Sequence, residues 1–267
     1  MCIRDRIEEQ QSDYYGDLET RVANNELSPS ELYDDLHSLT SRNLNIVDRF
    51  PEHLANLESM VEGRRTPESM TILESGVEYA RARAFLYTDV DLQPHRMLQC
   101  PYTGAIIAPE QLMLRDLISE LDLDNLLPQR FKNNRYLNCE HIVPQSWFKH
   151  THPAGVSDLH HLIAADGGAN NFRSNSSFRE LGSQGVLGPA NNPSYIAKAG
   201  RKHDGHFEPA KSKHIFARAT LYFIIAYKGA LESSVYGTEE IAMLKEWANL
   251  NPPDDYEMHR NMRAAAA

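Results

Sequence analysis

The residues best suited to chemistry lie in one stretch, residues 138–175. Glu140 and His141 are neighbours and offer an oxygen ligand for a hard cation beside a base that titrates near neutral pH. A run of amide side chains begins at Asn170, whose carbonyl oxygen is a second donor suited to Mg²⁺. On a helix, Arg173 would share a face with Asn170 and could contact a phosphate. These residue types predict a site for a divalent cation and a phosphate group.

A zinc site is the alternative that these residues leave open. The zinc-protease pattern HExxH is absent, and the pattern HxxEH would need a histidine at the position of Leu137. Cys139 and His141 would face the same way on a strand, as two zinc ligands must. Two further ligands would have to come from elsewhere, with His160 and His203 as candidates. Such a chain would be a zinc-stabilised interaction domain.

Short strands and helices must position these residues. Around the site we predict strands within 136–143 and 158–164, a loop at 149–157 and a helix over 169–181. Elsewhere the patterns predict a strand stretch interrupted by a turn at 97–107 and a long loop or insertion at 182–209. They also predict five helices, at 28–39, 67–86, 109–127, 210–228 and 238–247. Helices at both ends around a small strand–loop–strand–helix unit indicate a mostly helical α+β fold.

This arrangement sets a geometric condition on the site. Adjacent residues of a regular strand point to opposite faces. Glu140 and His141 can therefore serve one phosphate only if the backbone bends there. The predicted helix must also lie across the strand pair for Asn170 to reach the same cation.

Together, the clusters closely resemble the bacterial endonuclease I family, non-specific nucleases with a small ββα-metal (His-Me finger) core. The clusters are EHIVPQSWF at 140–148, DLHHL at 158–162 and GGANNFRSN at 167–175. The resemblance covers about residues 75–261 and extends to an FEP segment, a following helix and a closing motif, at Phe207, Glu208, Pro209, Ala217, Arg218, Ala219, Tyr222, Phe223, Leu244, Trp247, Glu257, Arg260 and Asn261.

The resemblance implies roles for three residues. Glu140 and Asn170 would hold the metal ion, expected to be Mg²⁺ with Mn²⁺ or Ca²⁺ as alternatives, and His141 would be the general base. The base would take a proton from water that attacks phosphorus in line, while the metal stabilises charge on a non-bridging oxygen and the leaving 3′ oxygen. The implied substrate is DNA, with RNA as a second polymer, cut without sequence preference to 5′-phosphate ends.

Other residues of this region are expected to bind the substrate or to support the site. Substrate-binding roles are predicted for Arg173, Lys149 and Lys202, and supporting roles for Asp158, His160 and Asn175. The alternative role for Arg173 is an ion pair with Asp166. The alternative role for Asp158 and His160 is packing in the core. The family usually places an arginine between the two site strands, but residues 149–157 contain none, so the cation that steadies the leaving group is unassigned.

The distribution of charge along the chain decides whether its acidic composition argues against a nucleic-acid partner. The 267 residues carry a formal net charge of −10, which by itself argues against a nucleic-acid partner. Residues 1–60, however, hold 13 acidic and 5 basic residues, whereas residues 131–230 hold 6 acidic and 12 basic ones. We therefore predict an acidic helical segment at 1–60 and a nuclease domain at 61–267. A catalytically inactive nucleic-acid-binding domain is the alternative.

Composition also bears on compartment and assembly. The longest apolar run, at 219–227, is too short to span a bilayer, so no membrane partner is expected. No signal peptide is visible, whereas members of the family are usually exported, so a secreted or periplasmic location is implied by the resemblance alone. Cys100 and Cys139 could pair in an exported protein or stay free. We expect a monomer.

Overall fold

A computed structural model describes residues 18–24, 26–41, 79, 82–83, 85–107, 137–187, 199–231 and 235–266. The helices in these ranges are α1 (Leu18–Ala23), α2 (Pro29–Ser41), α3 (Gln145–Phe148), α4 (Gly167–Arg173), α5 (Lys213–Ala226), α6 (Thr238–Ala248) and α7 (Asp255–Ala266). The strands are β1 (Leu98–Gln99), β2 (Ile106–Ile107), β3 (Asn138–His141), β4 (Leu162–Ala165), β5 (Ser177–Phe178), β6 (Val186–Leu187), β7 (Gly200–His203) and β8 (His206–Pro209). A π-helical turn spans Leu86–Val90, and a 3₁₀ helix spans Pro153–Ser157. The expected α+β class is confirmed.

The strands form three small sheets. Antiparallel pairs are made by β1 with β2 and by β3 with β4, the latter placing Glu140 opposite Ile163 and His141 opposite Leu162. The third sheet has the order β5-β8-β7-β6, in which β5 runs parallel to β8. The chain continues from the β3–β4 pair directly into α4, which is the strand–loop–strand–helix unit expected from the sequence.

Helix α2, within the predicted range 28–39, begins with hydrogen bonds between Ser28 and Glu31 that cap its first turn. The Glu31 carboxylate accepts hydrogen bonds from the Ser28 amide at 2.9 Å and the Ser28 hydroxyl at 2.6 Å, and the Ser28 hydroxyl accepts one from the Glu31 amide. Helix α2 packs on α5, and Lys228 lies 2.9 Å from Asp34. The division at residue 60 stays a prediction.

Helix α4 is shorter than the predicted helix at 169–181. Ser174 adopts a φ of 56°, which ends the helix after Arg173. The Lys202 ammonium group donates hydrogen bonds to the carbonyls of Phe172 at 3.1 Å and Arg173 at 3.3 Å, satisfying two carbonyls at the helix end. The following residues then join the third sheet as β5.

The segment predicted as a long loop at 182–209 contains strands instead. Strands β7 and β8 form a hairpin whose turn residues, Asp204 and Gly205, have φ values of 45° and 75°. An Asp-Gly pair favours this two-residue turn, so the sequence did carry the signal for a hairpin. Pro209 consequently ends β8, and α5 begins only at Lys213.

Some of the remaining predicted elements are confirmed, and others fall on residues outside the described ranges. The strand stretch at 97–107 forms the β1–β2 hairpin, and the helix from Thr238 is α6. That helix was expected to be the last, but α7 follows it. The predicted helix at 109–127, and most of the one at 67–86, lie outside the described residues.

An aromatic core connects the third sheet to the β3–β4 pair. The Tyr102 ring stacks on Phe216 of α5, with centroids 4.4 Å apart, and meets Phe207 of β8 edge-on at 5.7 Å. Phe178 of β5 completes the group, and all four rings are fully buried. This packing fixes the position of the Tyr102 side chain next to β3.

None of the described helices is long and apolar enough to cross a bilayer.

Candidate active site

Glu140, His141 and Asn170 line one cavity of about 330 Å³. It lies where β3 ends, between α3 and α4. Its other lining residues are Cys139, Pro144, Gln145, Ser146, Lys149, Asn171, Arg173, Ser174 and Asn175. The first and third sequence clusters therefore meet, whereas Asp158 and His160 of the second cluster are not part of the lining.

The backbone bends immediately after Glu140 and His141. Strand β3 ends at His141, residues 142–143 form a bend, and Pro144 precedes α3. Both residues line the same cavity although they are adjacent in the chain. The bend lies after the pair, at residues 142–143, rather than between Glu140 and His141, which are both in β3.

The Glu140 carboxylate is buried and held by two donors. Its exposed fraction is 3%. The Tyr102 hydroxyl donates to Oε1 at 2.7 Å, and Arg173 Nη1 donates to the same oxygen at 3.1 Å. Burial raises the pKa of Glu140 above its ordinary value, while Arg173 and the Tyr102 hydrogen bond oppose that rise. The carboxylate is thus oriented by groups outside its own strand.

Arg173, which is predicted to bind substrate, is buried and bonded to neighbouring groups of the protein. Its side chain is 1% exposed and donates to the backbone carbonyls of His141 at 3.1 Å and Ile142 at 2.7 Å. The predicted alternative, an ion pair with Asp166, is wrong because Asp166 caps α4 by accepting from the Ala169 amide at 2.8 Å. Arg173 therefore secures both the Glu140 carboxylate and the bend after β3.

The His141 ring is held in one orientation. Its Nε2 lies 2.9 Å from the Val156 carbonyl oxygen, and its ring stacks on Tyr79 with centroids 5.2 Å apart. A carbonyl can only accept, so Nε2 carries the hydrogen and the lone pair of the neutral ring is on Nδ1. Burial lowers the pKa of His141 to about 3, and His161 adds to the shift while the Val156 bond opposes it.

We expect His141 to titrate far below the ordinary histidine range. Burial disfavours its protonated form, so it should stay neutral at pH 5, where a free histidine is mostly protonated. Because the unfolded chain binds that proton near pH 6.5, this contribution to stability is complete above pH 6.5 and declines as pH falls towards 3. NMR of the ring resonances against pH, with a histidine peptide as reference, measures this. A midpoint near 6.5 would contradict the prediction.

Asn170 offers the second oxygen at the cavity. Its Nδ2 donates to Asn138 Oδ1 at 2.9 Å, which turns the Asn170 carbonyl oxygen away from Asn138. One carboxylate and one amide oxygen form a donor set that fits Mg²⁺, an ion that keeps several of its waters. The residues present are therefore compatible with the metal that the family implies.

The zinc alternative finds no ligand cluster in the described part of the chain. No group of three or more His, Cys, Asp or Glu side chains comes together there in a way that could hold a metal ion. Burial raises the pKa of the Cys139 thiol to about 12, which disfavours the thiolate that zinc requires. Cys139 and Cys100 are both free, so the structure has the unpaired thiols rather than the disulfide.

Asp158 and His160 belong to a hydrogen-bonded cluster outside the cavity lining. The buried Asp158 carboxylate accepts hydrogen bonds from the His160 amide at 2.9 Å and from the hydroxyls of Tyr222 at 2.9 Å and Tyr227 at 3.0 Å. Burial opposes its charged form, but the His160 hydrogen bond and charge lower the pKa of Asp158 below its ordinary value. The histidine that packs against His141 is instead His161, with ring centroids 5.6 Å apart.

Of the remaining predicted substrate-binding and supporting residues, two line the cavity and one bonds a helix end. Lys149 and Asn175 are exposed and line the cavity. Lys202 lies outside the lining and bonds the end of α4, so its predicted contact with substrate gains no support.

Three residues of the site escaped sequence reasoning. Tyr102, Val156 and His161 act through a hydroxyl, a backbone carbonyl and a buried ring, and each contact depends on the fold. A weak signal existed for His161, because it neighbours His160 in the DLHHL cluster.

Comparison with known proteins yields one family. The family model described as Endonuclease I matches residues 106–267, which is more than half of the chain. No curated protein matches the chain. The matched range contains all three sequence clusters and every residue of the cavity.

Proposed function

The chain belongs to the endonuclease I family and is an endonuclease, and from that premise we propose that it is a Mg²⁺-dependent, sequence-non-specific nuclease with a His-Me finger site. The observation that carries the proposal is the shared cavity of Glu140, His141 and Asn170. These are a carboxylate, a neutral imidazole and an amide oxygen, which suit a hard cation next to a general base.

The metal would be held by Glu140 and Asn170. Tyr102 and Arg173 both donate to Glu140 Oε1, so we assign Oε2 to the cation. Asn170 would contribute Oδ1, since its Nδ2 is bonded to Asn138. When bound, Mg²⁺ supplies positive charge that stabilises the phosphate and the departing 3′ oxygen in the transition state.

His141 would activate the attacking water. Its Nδ1 carries the lone pair because Nε2 donates to Val156. Nδ1 accepts a proton from water, the water oxygen bonds to phosphorus in line, and the bond from phosphorus to the 3′ oxygen breaks. The departing 3′ oxygen takes a proton from solvent water, so the products are a 5′-phosphate end and a 3′-hydroxyl end. Burial keeps the ring neutral at pH 7, so the Nδ1 lone pair is unprotonated.

The cavity is suited to the sugar–phosphate backbone. Apart from the His141 imidazole it has no aromatic lining side chain among the described residues, which would otherwise offer a surface for base stacking. Lys149 is the exposed cation of its lining, and we propose that it contacts a phosphate. We propose DNA as the substrate, with RNA as a second polymer, and a monomer that acts in a secreted or periplasmic location.

Plasmid degradation tests the proposal. The wild type should degrade plasmid in Mg²⁺ and not in EDTA. Asn170→Ala should need at least about tenfold more Mg²⁺ for half-maximal rate because one metal ligand is lost. Asn249→Ala is the matched control, an exposed asparagine outside the cavity lining that should keep the wild-type Mg²⁺ requirement. Undiminished degradation in EDTA, or none by the folded wild type with any divalent ion, would overturn the proposal.

A further inference from the structure

His161 is buried next to His141, yet the mechanism above does not use it. Its ring is fully buried and contacts Phe148 and Phe223, with centroids 5.6 Å and 4.6 Å away. Its Nε2 lies 2.6 Å from the Gly155 carbonyl oxygen. That carbonyl can only accept, so Nε2 is the donor and Nδ1 carries the lone pair.

The Nδ1 nitrogen of His161 bears on why a histidine, rather than a phenylalanine, occupies this position. Among the residues that the structure describes, His161 Nδ1 has no hydrogen-bond partner. A buried polar atom without a partner destabilises the folded state. Phenylalanine would pack between Phe148 and Phe223 without that cost. The feature that distinguishes histidine here is the Nε2 donor on Gly155.

The bonds of His141 and His161 end on consecutive residues of one turn. His161 bonds the carbonyl of Gly155, and His141 bonds the carbonyl of Val156, both within the 3₁₀ helix Pro153–Ser157. The turn is also packed tightly, because a Cβ on Gly155 would lie 2.8 Å from Phe148 Cε2. Holding the first carbonyl therefore restrains the direction of the second.

We propose that His161 is a positioning residue for the general base. By holding the Gly155 carbonyl it keeps the Val156 carbonyl aimed at His141 Nε2, and this contact keeps the lone pair of His141 on Nδ1. The inference rests on the proposed role of His141 as the base. It assigns to the second histidine of DLHHL an effect on the chemical step that is transmitted through two backbone carbonyls.

Two substitutions separate positioning from packing. His161→Phe keeps the ring contacts and removes the donor, whereas His161→Gln keeps a donor near the position of Nε2 and removes the ring. Positioning predicts a kcat about tenfold or more lower in the Phe variant with an unchanged KM, and recovery to within about threefold of wild type in the Gln variant. A packing role predicts the reverse order. A defined DNA duplex in Mg²⁺ is the substrate.

A spectroscopic measurement accompanies the kinetics. Long-range ¹H–¹⁵N NMR of the metal-free protein reports which nitrogen of His141 carries hydrogen. We expect hydrogen on Nε2 in the wild type and in His161→Gln, and a mixture of tautomers in His161→Phe. If the Phe variant does not fold, Gly155→Ala takes its place, since its added Cβ displaces the same turn, and it should give the same mixture.

The outcomes distinguish this inference from the proposed function. A folded wild type that does not cleave DNA overturns the proposed function, while the tautomer measurement still decides whether His161 positions His141. Hydrogen on Nδ1 in the wild type overturns the inference. So does a single tautomer with a kcat within twofold of wild type in His161→Phe or Gly155→Ala.

Discussion

Replacing His141 with alanine is expected to lower the rate of phosphodiester hydrolysis by about 10²–10⁴-fold, the usual contribution of a positioned general base. The residue lines the cavity with Glu140 and Asn170, and its Nδ1 is the lone-pair nitrogen. Because the proposed metal ligands Glu140 and Asn170 stay in place, Mg²⁺ binding should be retained. Initial rates on plasmid DNA, measured over a range of Mg²⁺ concentrations, give both the hydrolysis rate and the Mg²⁺ requirement.

The adjacent loop supplies a matched control for this substitution. His150 is exposed and is not part of the cavity lining, so His150→Ala should cleave DNA at the wild-type rate. Partial recovery of His141→Ala by added imidazole would further identify the missing group as a base. A His141→Ala variant that is folded and retains activity within twofold of wild type would remove His141 from the mechanism.

Replacing Arg260 with alanine is expected to lower the free energy of unfolding by about 3–5 kcal/mol, as for a broken buried ion pair. Arg260 of α7 is 6% exposed, and its Nε lies 2.7 Å from the fully buried Asp91. Its Nη2 donates to the carbonyls of Leu159, at 2.7 Å, and Leu162. The substitution leaves the Asp91 charge without its counter-ion and three backbone carbonyls, including that of His160, without their donor.

The same helix provides the control. Arg263 pairs with Asp89 one turn later, but its side chain is 40% exposed, so Arg263→Ala should cost no more than about 1 kcal/mol. Denaturant unfolding followed by circular dichroism measures both variants. Equal losses of stability in the two would show that burial of the Arg260 pair is not the source of its contribution. Because Arg260 binds the segment between Asp158 and β4, catalysis should be lost near the denaturant concentration of that unfolding.

The sequence predicted most of the elements around the site because their signals are local. The Ser28 cap, the strand pair and the helix from Thr238 all follow from residue types at short spacing. The errors have local causes as well. Loop-forming residues dominate segment 182–209 and obscure the hairpin signal of the Asp204-Gly205 turn within it. The helix at 169–181 was extended too far because nothing in the pattern announces the positive φ of Ser174.

The residues alone identified the candidate catalytic groups, which are a carboxylate beside a histidine and an amide oxygen thirty residues further on. The spacing of these groups also identified the family. The partners of those groups could not be read in the same way, because they come from distant parts of the chain. Tyr102 reaches Glu140 across 38 residues, and Arg260 reaches Asp91 across 169. Whether Arg173 faces a phosphate or holds Glu140, and which nitrogen of His141 is free to accept a proton, depend on packing and burial, which exist only in the folded chain.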